Sequence, residues 1–288
     1  MWKKYKAIFF DWDGTAVMSR RAPVDKAVAA MRPLLQKGIK LIIVSGTTIE
    51  NIAGGRIESY FTEKELENLY LGLGRGAYNY SFKNGIPYIF ENMVPDKEAI
   101  LKIHQICFEI HQTLKEKYDF DTDIVFSRPN YCKIDLMVES QRGDNLFMQE
   151  DELGRLKEIL KEHGMEGGLG GLIDLARTIG KKHGIDVAPT CDAKYLEVGV
   201  TSKSDNIDVI LEKICTENNI KPEECTYWGD EYVGIEKDIF GSDSFMKTEK
   251  SQNGDFFDVS EVAGERPNGV EKIGGGVDRF LCFLHEQE

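Results

Sequence analysis

Residues 6–44 contain two short apolar runs separated by a segment with helical periodicity. The runs are KAIFF (residues 6–10) and KLIIV (residues 40–44), and VDKAVAAMRPLLQKG (residues 24–38) lies between them, ending at a glycine. Apolar residues at helical spacing and a final Gly predict a helix, and the flanking runs predict strands. Two strands joined by one helix are parallel with a right-handed crossover. The sequence therefore predicts an α/β fold built on a parallel sheet.

Polar residues follow both predicted strands. DWDGT places Asp11 and Asp13 directly after the first strand, and Ser45 and Gly46 follow the second. Ligands of parallel sheets bind outside the carboxyl ends of the strands, so we expect these residues at one edge. A single DxDG sequence is also typical of a solvated turn, because Asp and Gly are good turn formers. The other motifs of the chain decide between these two interpretations.

Composition limits the classes of protein to which the chain belongs. Its 288 residues are near the size at which single cores stop growing, so the length allows one large α/β domain and favours two domains. A formal charge of −13 disfavours a nucleic-acid or anionic-membrane partner, since such partners need a basic face. No apolar stretch approaches the length of a membrane span or a signal-peptide core, so we expect a cytoplasmic protein. The pattern does not indicate the oligomeric state.

The middle of the chain differs in character from the start. A polar helical stretch (residues 50–67) and a strand with a hairpin at Asn84-Gly85 precede it. The sequence then predicts helices over 96–118 and 149–164, a strand over 132–140, a glycine-rich turn over 164–171 and β-like sequence to about residue 196. These elements suffice for a separate α+β module. We expect residues 1–92 and 193–288 to form one core, interrupted by the module at 93–192.

The last third returns to alternating strands and helices. Lys203 opens a predicted helix, Gly229-Asp230-Glu231 ends a predicted strand, and SDSFMKT (residues 242–248) is a further predicted strand. The segment 277–288 predicts a closing helix. Asp230 and Lys203 are therefore expected at the same sheet edge as Asp11 and Asp13.

Carboxylates that converge on one edge predict a site for a hard cation. Mg²⁺ is bound by one or two carboxylates together with substrate phosphate, and its charge offsets the repulsion between the acids. With a phosphate monoester in this site, Asp11 is positioned as a nucleophile that forms an aspartyl-phosphate. Asp13 would protonate the leaving group and then activate water. Ser45, the amide of Gly46 and Lys203 would hold the phosphoryl oxygens, while Asp230 completes the metal shell.

Four segments in this order resemble the four motifs of the haloacid dehalogenase (HAD) superfamily. They are DWDGT (residues 11–15), VSGTT (residues 44–48), TSKSDN (residues 201–206) and GDEYVGIEKD (residues 229–238). The resemblance covers residues 5–95 and 193–288. It implies a Rossmann-like parallel sheet core with a cap domain, and a magnesium ion bound by Asp11, Asp230 and the main-chain carbonyl of Asp13. It assigns Asp11 as nucleophile and Asp13 as general acid and base.

The spacing between the motifs predicts where the cap is inserted and which group of the superfamily the chain resembles. There are 157 residues between Ser45 and Lys203, which leaves room for a cap only after the second motif. This arrangement is similar to that of Cof-type HAD phosphatases. The resemblance implies an α/β cap and a small phosphorylated substrate, which in most Cof-type enzymes is a sugar phosphate. The fourth motif departs from the compact Cof-type form. Glu231 and Asp238 therefore both remain candidates for its second acid.

The sequence thus predicts a magnesium-dependent phosphomonoester hydrolase acting on a small phosphorylated metabolite. Two alternatives remain. A phosphomutase would use the same aspartyl-phosphate, and a non-catalytic binding or regulatory relative would have kept only the fold. The second alternative does not require Asp11, Asp13, Lys203 and Asp230 to be present together.

Overall fold

The computed structural model of the protein describes residues 2–138, 150–192 and 194–288. These residues form fourteen strands: β1 (Ala7–Phe10), β2 (Lys40–Val44), β3 (Leu69–Leu73), β4 (Tyr78–Lys83), β5 (Ile86–Asn92), β6 (Asp123–Val125), β7 (Tyr131–Asp135), β8 (Thr190–Cys191), β9 (Tyr195–Gly199), β10 (Cys225–Gly229), β11 (Gly234–Glu236), β12 (Ile239–Phe240), β13 (Asp255–Asp258) and β14 (Val270–Lys272).

The same residues form seven α-helices: α1 (Asp25–Gln36), α2 (Glu63–Leu66), α3 (Lys97–Tyr118), α4 (Glu150–Glu162), α5 (Gly168–Lys182), α6 (Lys203–Asn218) and α7 (Gly276–Gln287). Five 3₁₀ helices complete the list: Ile49–Asn51, Ala53–Gly55, Ile57–Tyr60, Pro222–Glu224 and Ser242–Met246. Within the described part of the chain, none of these helices combines the length and the apolar character that crossing a membrane requires.

The chain divides into two compact units. The first comprises Met1–Met93, Ser202–Val233 and Ser242–Glu288, and the second comprises Val94–Thr201 and Gly234–Gly241. The sequence predicts a return to the core at residue 193, and this residue lies outside the described part of the chain. In the structure, β9 still pairs with β7 of the second unit, and the β11–β12 hairpin also belongs to that unit.

An eight-stranded sheet organises the first unit. Its strand order is β14-β13-β10-β1-β2-β3-β4-β5, and the first six strands in this order are parallel. β4 and β5 form an antiparallel hairpin at one end, as the Asn84-Gly85 turn predicts. The prediction of an α/β fold on a parallel sheet is confirmed.

The central strand β1 is buried on both faces. Ile8 and Phe10 belong to the core that includes residues of α1 and α7, whereas Ala7 and Phe9 belong to the core that includes residues of α6. Side chains alternate between the faces of a strand, so a strand covered on both sides is apolar throughout. The first charged residue, Asp11, therefore marks the point at which the chain leaves the sheet.

The second unit contains a four-stranded antiparallel sheet in the order β6-β7-β9-β8. Residues of α3, α4 and α5 form an apolar core with it. The glycine-rich turn predicted over 164–171 ends before Gly168, where α5 begins, and the β-like sequence predicted after it is wrong up to Lys182. The end of that predicted β-like sequence contains β8 and the start of β9. Leu169, Leu172, Ala176 and Ile179 are buried at helical spacing, and the burial of this stripe outweighs the low helix propensity of the glycines.

Two further segments differ from their predictions. Residues 50–67 were predicted as one helical stretch, but they form three 3₁₀ helices and the short helix α2. The predicted strand over SDSFMKT is instead the 3₁₀ helix Ser242–Met246. The strand predicted over 132–140 is β7, and residues 139–140 of that prediction lie outside the described part of the chain.

A buried ion pair holds the loop after β13. Arg266 Nε donates to Asp258 Oδ2 at 2.7 Å, and the two side chains are 8% and 0% exposed. Arg266 also donates to the main-chain carbonyls of Val262 and Gly264. Removing one partner of such a pair leaves an uncompensated buried charge.

We expect Arg266→Ala to lower the free energy of unfolding by about 3–5 kcal/mol, measured by urea denaturation. Lys3→Ala is the control, because Lys3 pairs with Asp255 on the same strand while both side chains remain exposed. This control is expected to change stability by less than about 1 kcal/mol. Equal losses in the two variants would contradict the assignment.

Candidate active site

A tight turn follows β1 and fixes its first charged residues. The amide of Asp11 donates to the carbonyl of Trp228 on β10, which continues the parallel pairing for one residue. The amides of Ala16 and Val17 then donate to the carbonyl of Trp12, and the amide of Gly14 donates to that of Val17. The turn thus closes immediately after Asp11. It leaves the Asp11 side chain buried at the sheet edge, with 7% of the residue exposed.

Lys203 connects two carboxylates of the site. It is the first residue of α6, and its Nζ donates to Asp11 Oδ1 at 2.9 Å and to Asp243 Oδ1 at 2.7 Å. One turn later on the same helix, Asn206 donates to Asn79 Oδ1 and accepts from the amide of Gly76. These bonds anchor the start of α6 to the chain after β3. The position of the ammonium group is therefore fixed by the helix.

Asp243 is fully buried and forms hydrogen bonds with the loop after β10. Its Oδ2 accepts hydrogen bonds from the amides of Asp230 (3.0 Å) and Glu231 (2.8 Å), while its Oδ1 accepts from Lys203. Gly229 lies against this carboxylate, and a methyl group on it would overlap with Asp243. The close packing explains why glycine ends β10.

Three carboxylates converge next to this loop. Oxygen atoms of Asp11, Asp230 and Asp243 all lie within 4.8 Å of one another. Thr15 Oγ1 donates to Asp230 Oδ1 at 3.0 Å and orients that carboxylate. All of these residues belong to the first unit. The sheet edge therefore concentrates negative charge within a few ångströms.

Burial and mutual repulsion dominate the electrostatics of the cluster. Burial raises the pKa of Asp11 well above its usual value; the charge of Lys203 opposes this rise and Asp243 adds to it. The pKa of Asp230 is raised by burial and by the charges of Glu231 and Asp243. Burial acts to lower the pKa of Lys203, but Asp11 and Asp243 outweigh it and raise that pKa. One ammonium group thus faces several carboxylates.

This donor set fits a hard divalent cation. Carboxylate oxygens are the ligands that Mg²⁺ prefers, and a second positive charge would offset the repulsion that raises the pKa of Asp11 and Asp230. Asp243 already uses both of its oxygens to bind Lys203 and two amides. Asp11 and Asp230 are therefore better placed than Asp243 to bind an ion.

Asp13 lies in the turn after β1 and forms an ion pair with Arg20. Arg20 Nη2 lies 3.2 Å from Asp13 Oδ2. Burial raises the pKa of Asp13, and the charges of Arg20 and Lys203 oppose that rise. Sequence reasoning did not select Arg20, because it lies outside the four motif segments.

Ser45 and Gly46 follow β2, the strand next to β1. The Ser45 amide donates to the Gly72 carbonyl on β3, and Ser45 Oγ accepts from the Thr47 amide at 3.4 Å. Ser45 is 4% exposed. Because Phe10 pairs with Ile43, the chain leaves β2 at nearly the same level as it leaves β1. Both predicted phosphate-binding residues therefore lie at the carboxyl edge of the sheet.

The structure places the two candidates for the second acid of the fourth motif differently. Glu231 lies in the loop after β10, where its carboxylate accepts from Ser242 Oγ at 2.7 Å. Asp238 lies between β11 and β12 in the second unit. The acid found in the cluster is Asp243, which sequence reasoning missed because SDSFMKT was predicted as a strand. The sequence signal that could have identified Asp243 is its position after the β-hairpin that follows the Gly-Asp-Glu turn.

The close approach of Gly14 to Asp230 leads to a prediction. Gly14 has φ +84°, and a methyl group there would overlap with the Asp230 carboxylate. Gly38 has φ +82° but no atom within contact distance of such a methyl group. Both Gly→Ala changes cost about 1–2 kcal/mol of backbone strain. Only Gly14→Ala also displaces Asp230.

We expect millimolar Mg²⁺ to raise the melting temperature of the unchanged protein, and we expect Gly14→Ala to abolish this rise. Gly38→Ala should keep this rise, although its melting temperature in the absence of metal is lower. Differential scanning fluorimetry with and without Mg²⁺ measures both. A Gly14→Ala protein that Mg²⁺ stabilises as strongly as it does the unchanged chain would show that Asp230 tolerates the displacement.

Comparison with known proteins identifies the fold. No protein-family model and no curated protein matches the chain. Among solved structures, it is similar to the N-terminally truncated IMP-nucleotidase of Plasmodium falciparum, with a TM-score of 0.61 and 13% identity over 99% of this chain and 71% of that chain. It is also similar to the trehalose-6-phosphate phosphatase of Aspergillus fumigatus, with a TM-score of 0.54 and 13% identity over 98% of this chain and 91% of that chain. The chain therefore shares the α/β fold of these two enzymes: a Rossmann-like core with a largely parallel sheet, interrupted in sequence by a second, α+β unit.

Proposed function

We propose that this protein is a magnesium-dependent phosphomonoester hydrolase that acts through an aspartyl-phosphate on Asp11. The observation that carries the proposal is the cluster of Asp11, Asp230 and Asp243 with the ammonium group of Lys203 between two of them. Binding of a cation alone does not require a buried lysine beside the carboxylates, whereas phosphoryl transfer needs a nucleophile and positive charge at the same point. The fold shared with two phosphate-ester hydrolases supports the same conclusion.

Each residue of the site has a task in this mechanism. Asp11 attacks phosphorus, and the P–O bond to the leaving group breaks as the Asp11–phosphorus bond forms. Asp13 protonates the leaving oxygen and then accepts a proton from the water that releases phosphate. Lys203, the Ser45 hydroxyl and the Gly46 amide donate to the phosphoryl oxygens as charge develops there. Asp243 holds Lys203 and the Asp230 amide in place.

Asp11, Asp230 and the main-chain carbonyl of Asp13 would hold the metal ion. When bound, Mg²⁺ supplies positive charge that stabilises the phosphate oxygens during transfer. Thr15 orients Asp230 for this role through its hydrogen bond to Oδ1. In this proposal the second acid of the fourth motif is Asp243, and it acts through hydrogen bonds to Lys203 and the loop amides.

We propose a small phosphorylated metabolite, in particular a sugar phosphate, as the substrate. One of the two similar structures is named for trehalose-6-phosphate and the other for IMP, and both names denote small phosphorylated molecules. The second unit would act as a Cof-type cap that closes over the substrate and excludes water. A net charge of −13 supports a small ligand held by local cations over a nucleic-acid partner.

The test is hydrolysis of para-nitrophenyl phosphate and of a panel of sugar phosphates and nucleoside monophosphates. We expect release of inorganic phosphate in the presence of Mg²⁺, and loss of that release after EDTA treatment with recovery on addition of Mg²⁺. Conversion of a hexose monophosphate to an isomer without free phosphate would indicate a phosphomutase instead. No turnover of any ester, with Mg²⁺ present, would contradict the proposal.

A further inference from the structure

Arg20 forms an ion pair with the residue that the proposed function assigns as acid and base. It lies in the loop between β1 and α1, seven positions after Asp13 in the sequence. Its Nη2 is 3.2 Å from Asp13 Oδ2, and the two side chains are 33% and 18% exposed. Both residues belong to the first unit, so their contact lies within one compact body.

The ion pair makes the two oxygens of Asp13 different. Oδ2 is occupied by Arg20, whereas Oδ1 is buried and has no hydrogen-bond partner among the residues that the structure describes. Arg20 Nε is likewise buried and without a partner in the described part of the chain. A buried polar atom without a partner costs about 1–3 kcal/mol, so such atoms mark places where a ligand completes the hydrogen bonding. The pair therefore offers one carboxylate oxygen to a bound molecule.

We infer that Arg20 is a positioning residue that holds Asp13 through Oδ2 and presents Oδ1 to the leaving group. This inference rests on the proposed function. In the first step the bond from Asp11 to phosphorus forms, the bond from phosphorus to the leaving oxygen breaks, and the proton on Asp13 Oδ1 moves to that oxygen. In the second step a water oxygen binds phosphorus, the bond to Asp11 breaks, and a proton of the water moves to Oδ1.

A purely structural ion pair would have a different consequence. It would hold the loop between β1 and α1, so its loss would lower stability and affect all substrates equally. A residue that positions a general acid matters most for esters whose leaving group must be protonated. Phenyl phosphate and para-nitrophenyl phosphate separate the two roles, because they are similar in size and differ in how much the departing phenolate needs a proton.

The experiment compares Arg20→Met and Arg20→Lys with the unchanged protein, and uses Arg21→Met as control. Arg21 is the adjacent, exposed arginine of the same loop. We expect Arg20→Met to lower kcat/KM for phenyl phosphate by about 10–100-fold and for para-nitrophenyl phosphate by less than about 3-fold, with KM nearly unchanged. Arg20→Lys should recover most of the phenyl phosphate activity. Arg21→Met should match the unchanged protein on both substrates.

A double variant tests whether Arg20 acts through Asp13. Adding Arg20→Met to Asp13→Asn should lower phenyl phosphate turnover by less than about 2-fold further, because the interaction is already lost. Additive losses, equal losses on both esters, or a rise in KM alone would overturn the inference. If the unchanged protein is active and Arg20→Met has the same activity on both esters, only the inference is overturned. An unchanged protein inactive on both esters contradicts the proposed function and the inference with it.

Discussion

We expect Asp11→Asn to abolish the proposed phosphatase activity without weakening the fold, and this is the largest effect on turnover that the site predicts. The substitution removes the proposed nucleophile, and loss of a nucleophile lowers kcat by about 10⁴-fold or more. It also removes one of three converging carboxylates whose burial and mutual repulsion raise the pKa of Asp11 and Asp230. Lys203 keeps its bond to Asp243 in the variant. Without metal, the melting temperature should therefore be equal to or higher than that of the unchanged protein.

Two measurements check this result. Steady-state release of phosphate gives the loss of turnover, and differential scanning fluorimetry without Mg²⁺ gives the stability. Asp25→Asn is the control, since Asp25 is an exposed carboxylate at the start of α1 in the same unit. It should change neither quantity appreciably. An Asp11→Asn protein that hydrolyses para-nitrophenyl phosphate at the unchanged rate would remove Asp11 from the mechanism.

Lys203→Met is expected to reduce both activity and stability. Its ammonium group is the cation that contacts Asp11 and Asp243, and its side chain is 7% exposed. Removing one partner of a buried ion pair costs about 3–5 kcal/mol, because the remaining charges are buried without compensation. The variant would also lose a proposed donor to the phosphoryl oxygens, so we expect kcat to fall by about 10²–10³-fold. Urea denaturation and steady-state kinetics measure the two effects.

The same helix supplies the control for this variant. Lys213 also lies on α6 and pairs with Glu217, whose side chain is 52% exposed. Lys213→Met should therefore cost less than about 1 kcal/mol and leave turnover intact. If Lys203→Met unfolded at the same urea concentration as Lys213→Met, the buried cluster would not depend on the ammonium group. If it then also kept full activity, Lys203 would have no role in phosphate binding.

The sheet could be predicted from the sequence because strands covered by helices on both faces are apolar at every position. The unbroken apolar runs before Asp11 and Ser45 and the helix between them define parallel strands, and these place polar residues at one edge. In the second unit the prediction for α5 was wrong, because its glycines have low helix propensity and interrupt the pattern of its buried apolar residues in the sequence. Local propensity is a weak prior where tertiary burial decides.

Asp243 and Arg20 were missed for a related reason. Neither is close in sequence to the residues it contacts, and each contact depends on how a loop folds. Asp243 lies 13 residues after Asp230 and 40 after Lys203, with a hairpin in the first of these intervals. Arg20 meets Asp13 because the chain turns sharply between Trp12 and Val17. Periodicity identifies strands and helices, but it contains no information about the path of such loops.

The β11–β12 hairpin affects how this protein can be shortened. Gly234–Gly241 belongs to the second unit, although it lies between two stretches of the first. Within the second unit, Ile235 is part of the apolar core, and Glu236 accepts hydrogen bonds from the amides of Leu169 and Gly170. Excising residues 94–201 alone would leave Ile235 and Glu236 in the protein without the residues that they contact. A soluble fragment that contains only the first unit therefore requires two excisions, with the second joining Val233 to Ser242 through a short polar linker.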